Sequence, residues 1–244
     1  MKTWLVLNDI QIPWQDKPVL QMIVDFAADL KPYGVVLNGD VTDCYLISDY
    51  AKDPSRVKVW GLKREIAEAG QLMSAFKYAK ERWWLGGNHE DRWRRIQWQF
   101  PNLEGALQHY DVAFHMADYG FQWKPYGGVL HLGKLFVTHG ALVSKHSAQT
   151  ARFTYEKYGN SVLVGHTHRL GVFYRTNAKG IHAAYENGCV CRLTPEYVQC
   201  PDWQQGFSVV HVEDGGWFNV QQIPILKRSR FFYGGTLVKA GGRR

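Results

Sequence analysis

The sequence predicts an α/β fold in which two packed, mixed β-sheets are flanked by helices. Two observations lead there. The N-terminal part alternates short apolar runs with helical patterns in the order β-α-β-α-β. From residue 121 onward, short β-prone segments dominate, with one helical stretch among them. No repeat, low-complexity block or Pro/Gly/Ser-rich linker divides the chain. A single domain over residues 1–235 is expected, followed by a flexible basic tail over 236–244.

Taken in order, Thr3 to Leu7 is a short apolar strand. Lys17 to Leu30 carries Val19, Leu20, Ile23, Val24, Phe26 and Ala27 at helical spacing, with Pro18 in the tolerated first turn and Pro32 beyond the end. Gly34 to Leu37 is a second strand, and Trp60 to Lys80, after the loop "DPSR", reads as a long helix. Trp83 to Leu85 is the third strand, stopped by Gly86-Gly87. Helical character resumes from Glu90 to Gln99. The later strands are Val129–Leu132, Leu135–Thr138, Val162–Val164, Val172–Arg175, Phe207–Val212 and Phe218–Ile223, with a helix near Ser147 to Lys157.

Composition narrows the function classes. With 45% hydrophobic and 21% charged residues, the chain is neither disordered nor membrane-embedded. No window reaches the roughly 18 apolar residues of a spanning helix. The N-terminal apolar run is too short for a signal peptide and is interrupted by Asp9, so the cytoplasm is the expected location. The four cysteines (Cys44, Cys189, Cys191 and Cys200) form no CxxC and read as reduced thiols. A net charge of +7 suits a polyanionic partner without requiring one.

The chemistry lies directly after the apolar strands. The segment "RWWLGGNHEDRW" follows one of them with Asn88, His89 and Glu90. The others lead into Asn8-Asp9-Ile10-Gln11, Asn38-Gly39-Asp40-Val41-Thr42-Asp43, Thr138-His139-Gly140 and Gly165-His166-Thr167-His168. In an open sheet such ends converge at one rim. If the chain is extended there, Asp9 with Gln11 and His166 with His168 each offer two groups to one side. Oxygen and imidazole donors without thiolate suit first-row divalent metals. There are too many for one tetrahedral ion. Two ions about 3.5–4 Å apart, sharing one carboxylate, would use them all in phosphoester hydrolysis. The other histidines (His109, His115, His131, His146, His182 and His211) read as ordinary surface or core residues.

The ordered set "GDVTD", "GNHE", a later His and "GHTH", preceded by Asp9, resembles the signature of the calcineurin-like metallophosphoesterases over about residues 9 to 168. "GNHEDRWRR", "YGNSVLVGHTHRLG", "YENGCVC", "TPEYV" and "WQQGFSVV" are similar to phosphoesterases of tailed bacteriophages and prophages, out to about residue 223. The resemblance implies the αββα metallophosphoesterase sandwich and two divalent ions with a bridging hydroxide. Asp9, Gln11, Asp40 and His168 would hold one ion, and Asn88, His139, His166 and the shared Asp40 the other. It also implies that His89 protonates the leaving alkoxide or steadies transition-state charge, oriented by Asp43.

One position departs from the family pattern, which has His where this chain has Gln11. A neutral amide oxygen is a harder, weaker donor. Mn²⁺ is therefore the expected ion, with Mg²⁺, Zn²⁺, Fe or Ni²⁺ as alternatives. Arg92 and Arg95 follow His89 and can meet substrate phosphates. Trp83, Trp84, Trp93 and Trp98 can stack bases or fill the core. The protein Ser/Thr phosphatases follow their second motif with "DRG", whereas this chain reads "DCYLISDY". The expected activity is a metal-dependent phosphodiesterase acting on DNA, RNA or nucleotides, in the host cytoplasm if phage-encoded. The alternatives are a phosphomonoesterase on small or protein-linked phosphates, and a catalytically weakened binding scaffold, as in a retromer subunit of this fold that has lost such residues.

Overall fold

The computed structural model describes residues 1–49, 51–52, 61–103, 105–194 and 200–241. The "DPSR" loop, Trp60, residues 195–198 of "TPEYV" and residues 242–244 lie outside them.

The expected two-sheet architecture is present. Strands β1 (Lys2–Leu7), β2 (Gly34–Asn38), β3 (Glu81–Leu85) and β4 (Gln122–Lys124) run parallel. The second sheet contains β5 (Leu130–Leu132), β6 (Leu135–Thr138), β7 (Val162–Val164), β8 (Leu170–Asn177) and β9 (Gly180–Asn187), ordered β5-β6-β7-β9-β8. Antiparallel β10 (Gly206–Val212) and β11 (Phe218–Pro224) extend the first sheet to six strands, ordered β11-β10-β1-β2-β3-β4.

Strand alternation explains the layering. Leu5, Leu7, Val35 and Leu37 face α1 (Lys17–Leu30) and α2 (Leu62–Ala75), packing with Met22, Ile23, Phe26, Leu72 and Met73. Trp4, Val6 and Val36 point the other way and meet Leu132, Leu135, Val137 and Leu163 between the sheets. Val162 and Val164 face Ala151 and Tyr155 of α5 (Gln149–Tyr158). Each fully buried Leu, Ile or Val contributes about 1.5–3 kcal/mol, so the pattern specifies both sheets and their outer helices. Gly34 is required by this packing, because a Cβ there would lie 2.3 Å from the Trp4 ring.

Helix α1 follows its sequence signals, with Asp16 Oδ1 accepting from Val19 N at 3.3 Å and Lys31 ending it at φ 48°. The next helix stops at Ala75, before the expected Lys80. Phe76 and Ala79 are buried in the turn, and Lys80 N donates to Tyr33 O at 2.9 Å as the chain enters β3. Two further short helices, α3 (Asp91–Gln99) and α4 (Tyr110–Ala113), follow β3.

Several segments differ from the sequence reading. Strands β4 and β9 were not expected. Gly180 and Ile181 of β9 are exposed whereas Ala183 to Asn187 are all buried, so this strand shows no alternation. The segment expected to begin the basic tail instead forms β13 (Thr236–Lys239), paired antiparallel with β12 (Arg230–Tyr233) and burying Val238. No described helix is long and apolar enough to cross a membrane.

Candidate metal centre

The parallel strands β1, β2 and β3 end at one edge of their sheet, and β6 and β7 end beside them in the other. Around a shallow cleft of about 150 Å³ stand Gln11, Asp40, Asn88, His89, His166, His168 and Trp203. Asp9 and His139 are buried against it through His168 and Asp40. All the sequence-predicted donors therefore come together. A larger cavity of about 690 Å³ lies beside Trp98, Phe100 and Val112, away from these donors.

The groups converge by a different route from the extended backbone expected. Asp9, Gln11, Asp40, His166 and His168 have φ of 50°, 54°, 48°, 70° and 58°, so each sits in the left-handed region. Non-glycine residues adopt that region at a cost of order 1–3 kcal/mol, which the surrounding structure must offset. Hydrogen bonds between loops hold them: Asp9 N donates to Gly39 O at 3.0 Å and Gln11 N to Asp40 O at 2.9 Å.

The donor set fits divalent cations. Lone-pair atoms face one another at contact distance: His139 Nε2 is 3.3 Å from Asp40 Oδ2 and 3.2 Å from Asn88 Oδ1. Ligand atoms of Asp40, His139 and His166 lie within 4.8 Å of one another. Asp9 Oδ1 is buried and has no hydrogen-bond partner among the described residues, although His168 Nε2 stands 3.2 Å away. Gln11 places its amide nitrogen 3.2 Å from His168 Nε2; half a turn of the amide presents its oxygen instead.

Charge follows from this crowding. Burial alone would raise the Asp40 carboxyl, but the charges of His139 and then His89 hold it well below the usual carboxylate range. Burial opposes protonation of His139, yet the Asp40 carboxylate beside it pushes its pKa up to about 9. Burial and the neighbouring His139 charge lower His166. Such a site attracts positive charge, whether proton or metal.

Residues 3–170 match the family model described as calcineurin-like phosphoesterase. The chain belongs to that family. It is 29% identical over 250 residues to the Gene 54 protein of Mycobacterium phage D29, covering 92% of this chain and 94% of that protein. The Gene 54 protein of Mycobacterium phage L5 is 26% identical over 253 residues, with the same coverage of 92% and 94%. The fold is also similar to Chaetomium thermophilum Vps29, at 10% identity and TM-score 0.51, over 98% of this chain and 100% of that one. As a member of this family the chain is a metal-dependent phosphoesterase, and the family implies divalent metal ions.

The catalytic pair expected for this phosphoesterase is assembled. His89 Nδ1 donates to Asp43 Oδ1 at 2.7 Å, and His89 Nε2 lies 3.6 Å from Asp40 Oδ2. Burial would lower the His89 pKa, but the Asp40 charge and then the Asp43 hydrogen bond leave it raised. Arg92 is largely buried: Nη1 donates to Asp43 O at 2.6 Å, and Nη2 stands 3.3 Å from His89 Nε2. Arg95 is about half exposed and pairs with Asp91 at 3.3 Å. Trp84 belongs to the core and Trp93 packs against it, whereas Trp98 is exposed with Arg94 over its ring at 4.6 Å.

Several supporting residues were not singled out from the sequence. Glu90 is buried and accepts from the backbone N–H groups of Asp40, Val41, Thr42 and Gly87, at 2.9, 2.8, 3.1 and 2.7 Å. It thereby ties the "GDVTD" loop to the "GNHE" loop. Gly87 packs so closely that a Cβ would lie 2.0 Å from Asp40 Oδ1 and 2.4 Å from Asp40 N. Asn8 donates to Asp9 Oδ2 at 2.5 Å and accepts from Asn187 at 2.6 Å, and Asn187 accepts from Ser208. Trp203 packs edge-on against His168, with ring centroids 4.1 Å apart. Glu90 belongs to the quoted motif and could have been found there. Asn187 lies in the quoted "YENGCVC", and Trp203 and Ser208 in "WQQGFSVV", but nothing within those segments points to the donor loops that the fold brings beside them.

Proposed function

We propose that this phosphoesterase is a phosphodiesterase that cleaves nucleic acid or nucleotide esters with a pair of divalent ions, Mn²⁺ foremost. Asp9, Gln11, Asp40 and His168 would hold one ion. Asn88, His139 and His166, with Asp40 shared, would hold the other. When bound, the ions supply Lewis acidity toward the phosphate oxygens and a nucleophile at neutral pH.

The observation that carries this reading is the His89–Asp43 pair at the rim of the donor cluster. His89 is placed to deliver the proton on its Nε2 to the departing ester oxygen. Asp43 fixes the ring through Nδ1 and favours its cationic form. A proton donor matters most for a poor alkoxide leaving group, as a nucleoside hydroxyl is.

Charge and shape support a diester over a monoester. A monoester dianion carries one more charge to neutralise. The guanidinium beside the cleft, Arg92, is already committed to Asp43, and Arg95 is paired with Asp91. The cleft is shallow and flanked by Trp203, so the second substituent of a diester can run outward across its rim. The net charge of +7 also suits a polyanion.

The test compares bis-p-nitrophenyl phosphate with p-nitrophenyl phosphate after metal removal and separate reloading with Mn²⁺, Mg²⁺, Zn²⁺ or Ni²⁺. Preferential diester turnover is expected, best with Mn²⁺, followed by cleavage of DNA, RNA or cyclic nucleotides. Turnover of the monoester alone would instead establish a phosphomonoesterase. Silence on both esters and on nucleic acid, with every metal, would leave the binding scaffold.

A further inference from the structure

Behind His168 lies a second group of metal-binding atoms that the hydrolytic centre does not use. Cys189 and Cys191 are buried, reduced and separated only by Val190, whose side chain enters the helix-side core. Cys191 Sγ is 3.7 Å from His168 Nδ1, and both sulfurs lie within 4.8 Å of a His168 ring nitrogen and of each other. The backbone fixes these positions: Cys189 N donates to Gln204 O at 3.0 Å, and Cys191 N donates to Asp9 O at 3.0 Å.

We infer that His168, Cys189 and Cys191 form a thiolate–imidazole site for Zn²⁺ or a similarly soft ion, and that this site competes with the hydrolytic centre for His168. A tetrahedral zinc with Zn–S of about 2.3 Å and Zn–N of about 2.0–2.1 Å separates its sulfur and nitrogen ligands by about 3.6 Å. The observed separation is 3.7 Å. Two thiolates and an imidazole select Zn²⁺ over Mn²⁺ or Mg²⁺, which prefer oxygen. Two Zn–S bonds replace two S–H bonds, and both protons leave to solvent. The fourth tetrahedral position is open to water or a small anion.

The competition follows from the imidazole. A neutral ring offers one nitrogen lone pair and carries hydrogen on the other nitrogen. His168 Nε2 faces Asp9 Oδ1 at 3.2 Å, on the hydrolytic side, while Nδ1 faces Cys191. A ring that gives its Nδ1 lone pair to zinc keeps hydrogen on Nε2 and is withdrawn from the other ion. Zinc in the sulfur site therefore inhibits a Mn²⁺-loaded enzyme. This consequence rests on the proposed role of His168 in hydrolysis, whereas the site itself does not.

The test uses the full chain, stripped of metal and titrated with Co²⁺. Thiolate ligation produces a sulfur-to-cobalt charge-transfer band in the near ultraviolet, which oxygen and nitrogen ligands alone do not. The band is expected in the wild type, is displaced by one equivalent of Zn²⁺, and is absent from Cys189→Ser/Cys191→Ser. Zn²⁺ inhibition of Mn²⁺-dependent hydrolysis is expected to weaken at least tenfold in that variant. A wild type showing only the weak visible bands of cobalt in oxygen and nitrogen ligation would overturn the site, leaving a thiol–imidazole hydrogen bond. A band that survives the double substitution would also overturn it. A wild-type band in a protein that hydrolyses no ester would retain the sulfur site and sink the phosphodiesterase reading alone.

Discussion

Asp43 Oδ1 accepts a 2.7 Å hydrogen bond from His89 Nδ1, joining the loop after β2 to the loop after β3. In the proposed mechanism the pair makes His89 an oriented proton donor. Asp43→Asn keeps the shape but removes the charge. Loss of a charge-assisted bond worth about 1.5–3 kcal/mol predicts a turnover decrease of roughly ten- to a hundredfold. Because Asp40 and then Asp43 raise the His89 pKa against burial, the donor stays cationic to higher pH. Asp43→Asn is expected to move the alkaline fall in kcat toward lower pH. A pH–rate profile of the two proteins checks both the size and the sign.

Glu90 serves the site without entering the cleft. Its carboxylate receives four backbone N–H groups from two loops. Glu90→Gln replaces one acceptor oxygen with an amide donor facing those N–H groups. A loss of about 2–4 kcal/mol in unfolding free energy is expected, with weaker metal binding. Urea denaturation and metal titration measure the two effects separately, and an unchanged midpoint and affinity would contradict the tying role.

Gln11→His tests the metal preference. Gln11 already touches His168 Nε2 at 3.2 Å, so an imidazole there adds a borderline-soft donor to the same ion. Zn²⁺ affinity is expected to rise relative to Mn²⁺ by tenfold or more. Competitive titration with a chelating dye reads the ratio. Equal ratios in variant and wild type would show that Gln11 does not set the selectivity.

Glu65 makes stability depend on pH. Burial, and next the charge of Asp43, push its carboxyl up to about 8. The folded chain therefore holds this proton where the unfolded chain, near 4.5, has lost it. Stability from this group is fully present below the unfolded value and falls as pH rises toward about 8, by at most ~1.4 kcal/mol per unit. Glu65→Gln is expected to flatten the decline between pH 5 and about 8. Denaturation midpoints across that window decide the matter, and parallel curves for the two proteins would contradict it.

The parts of this molecule legible in its sequence are those with local signatures. The apolar run Trp4, Leu5, Val6 and Leu7 announced a strand, which the structure buries on both faces, and Pro18 and Pro32 bracketed α1. The strand-end motifs identified the cluster because each puts unusual polar groups after an apolar run. The route of convergence was not legible. Period-two alternation brings Asp9 and Gln11 to one side only in extended chain, and both adopt positive φ. Cys189 and Cys191 read as ordinary thiols because nothing near them in sequence suggests His168, which β9 brings within reach. The Arg92 contact with Asp43 was not legible either, because Asp43 lies in another loop.

The central claim is that the strand-end donors hold two ions for hydrolysis with His89 as proton donor. Titrating the metal-stripped protein with Mn²⁺ while following bis-p-nitrophenyl phosphate hydrolysis tests it most directly, with His89→Ala alongside. The rate is expected to rise with added metal and saturate near two equivalents per chain. His89→Ala should bind the same metal and lose about 10²–10⁴-fold in turnover. A rate indifferent to Mn²⁺, or one that His89→Ala leaves intact, would contradict the account.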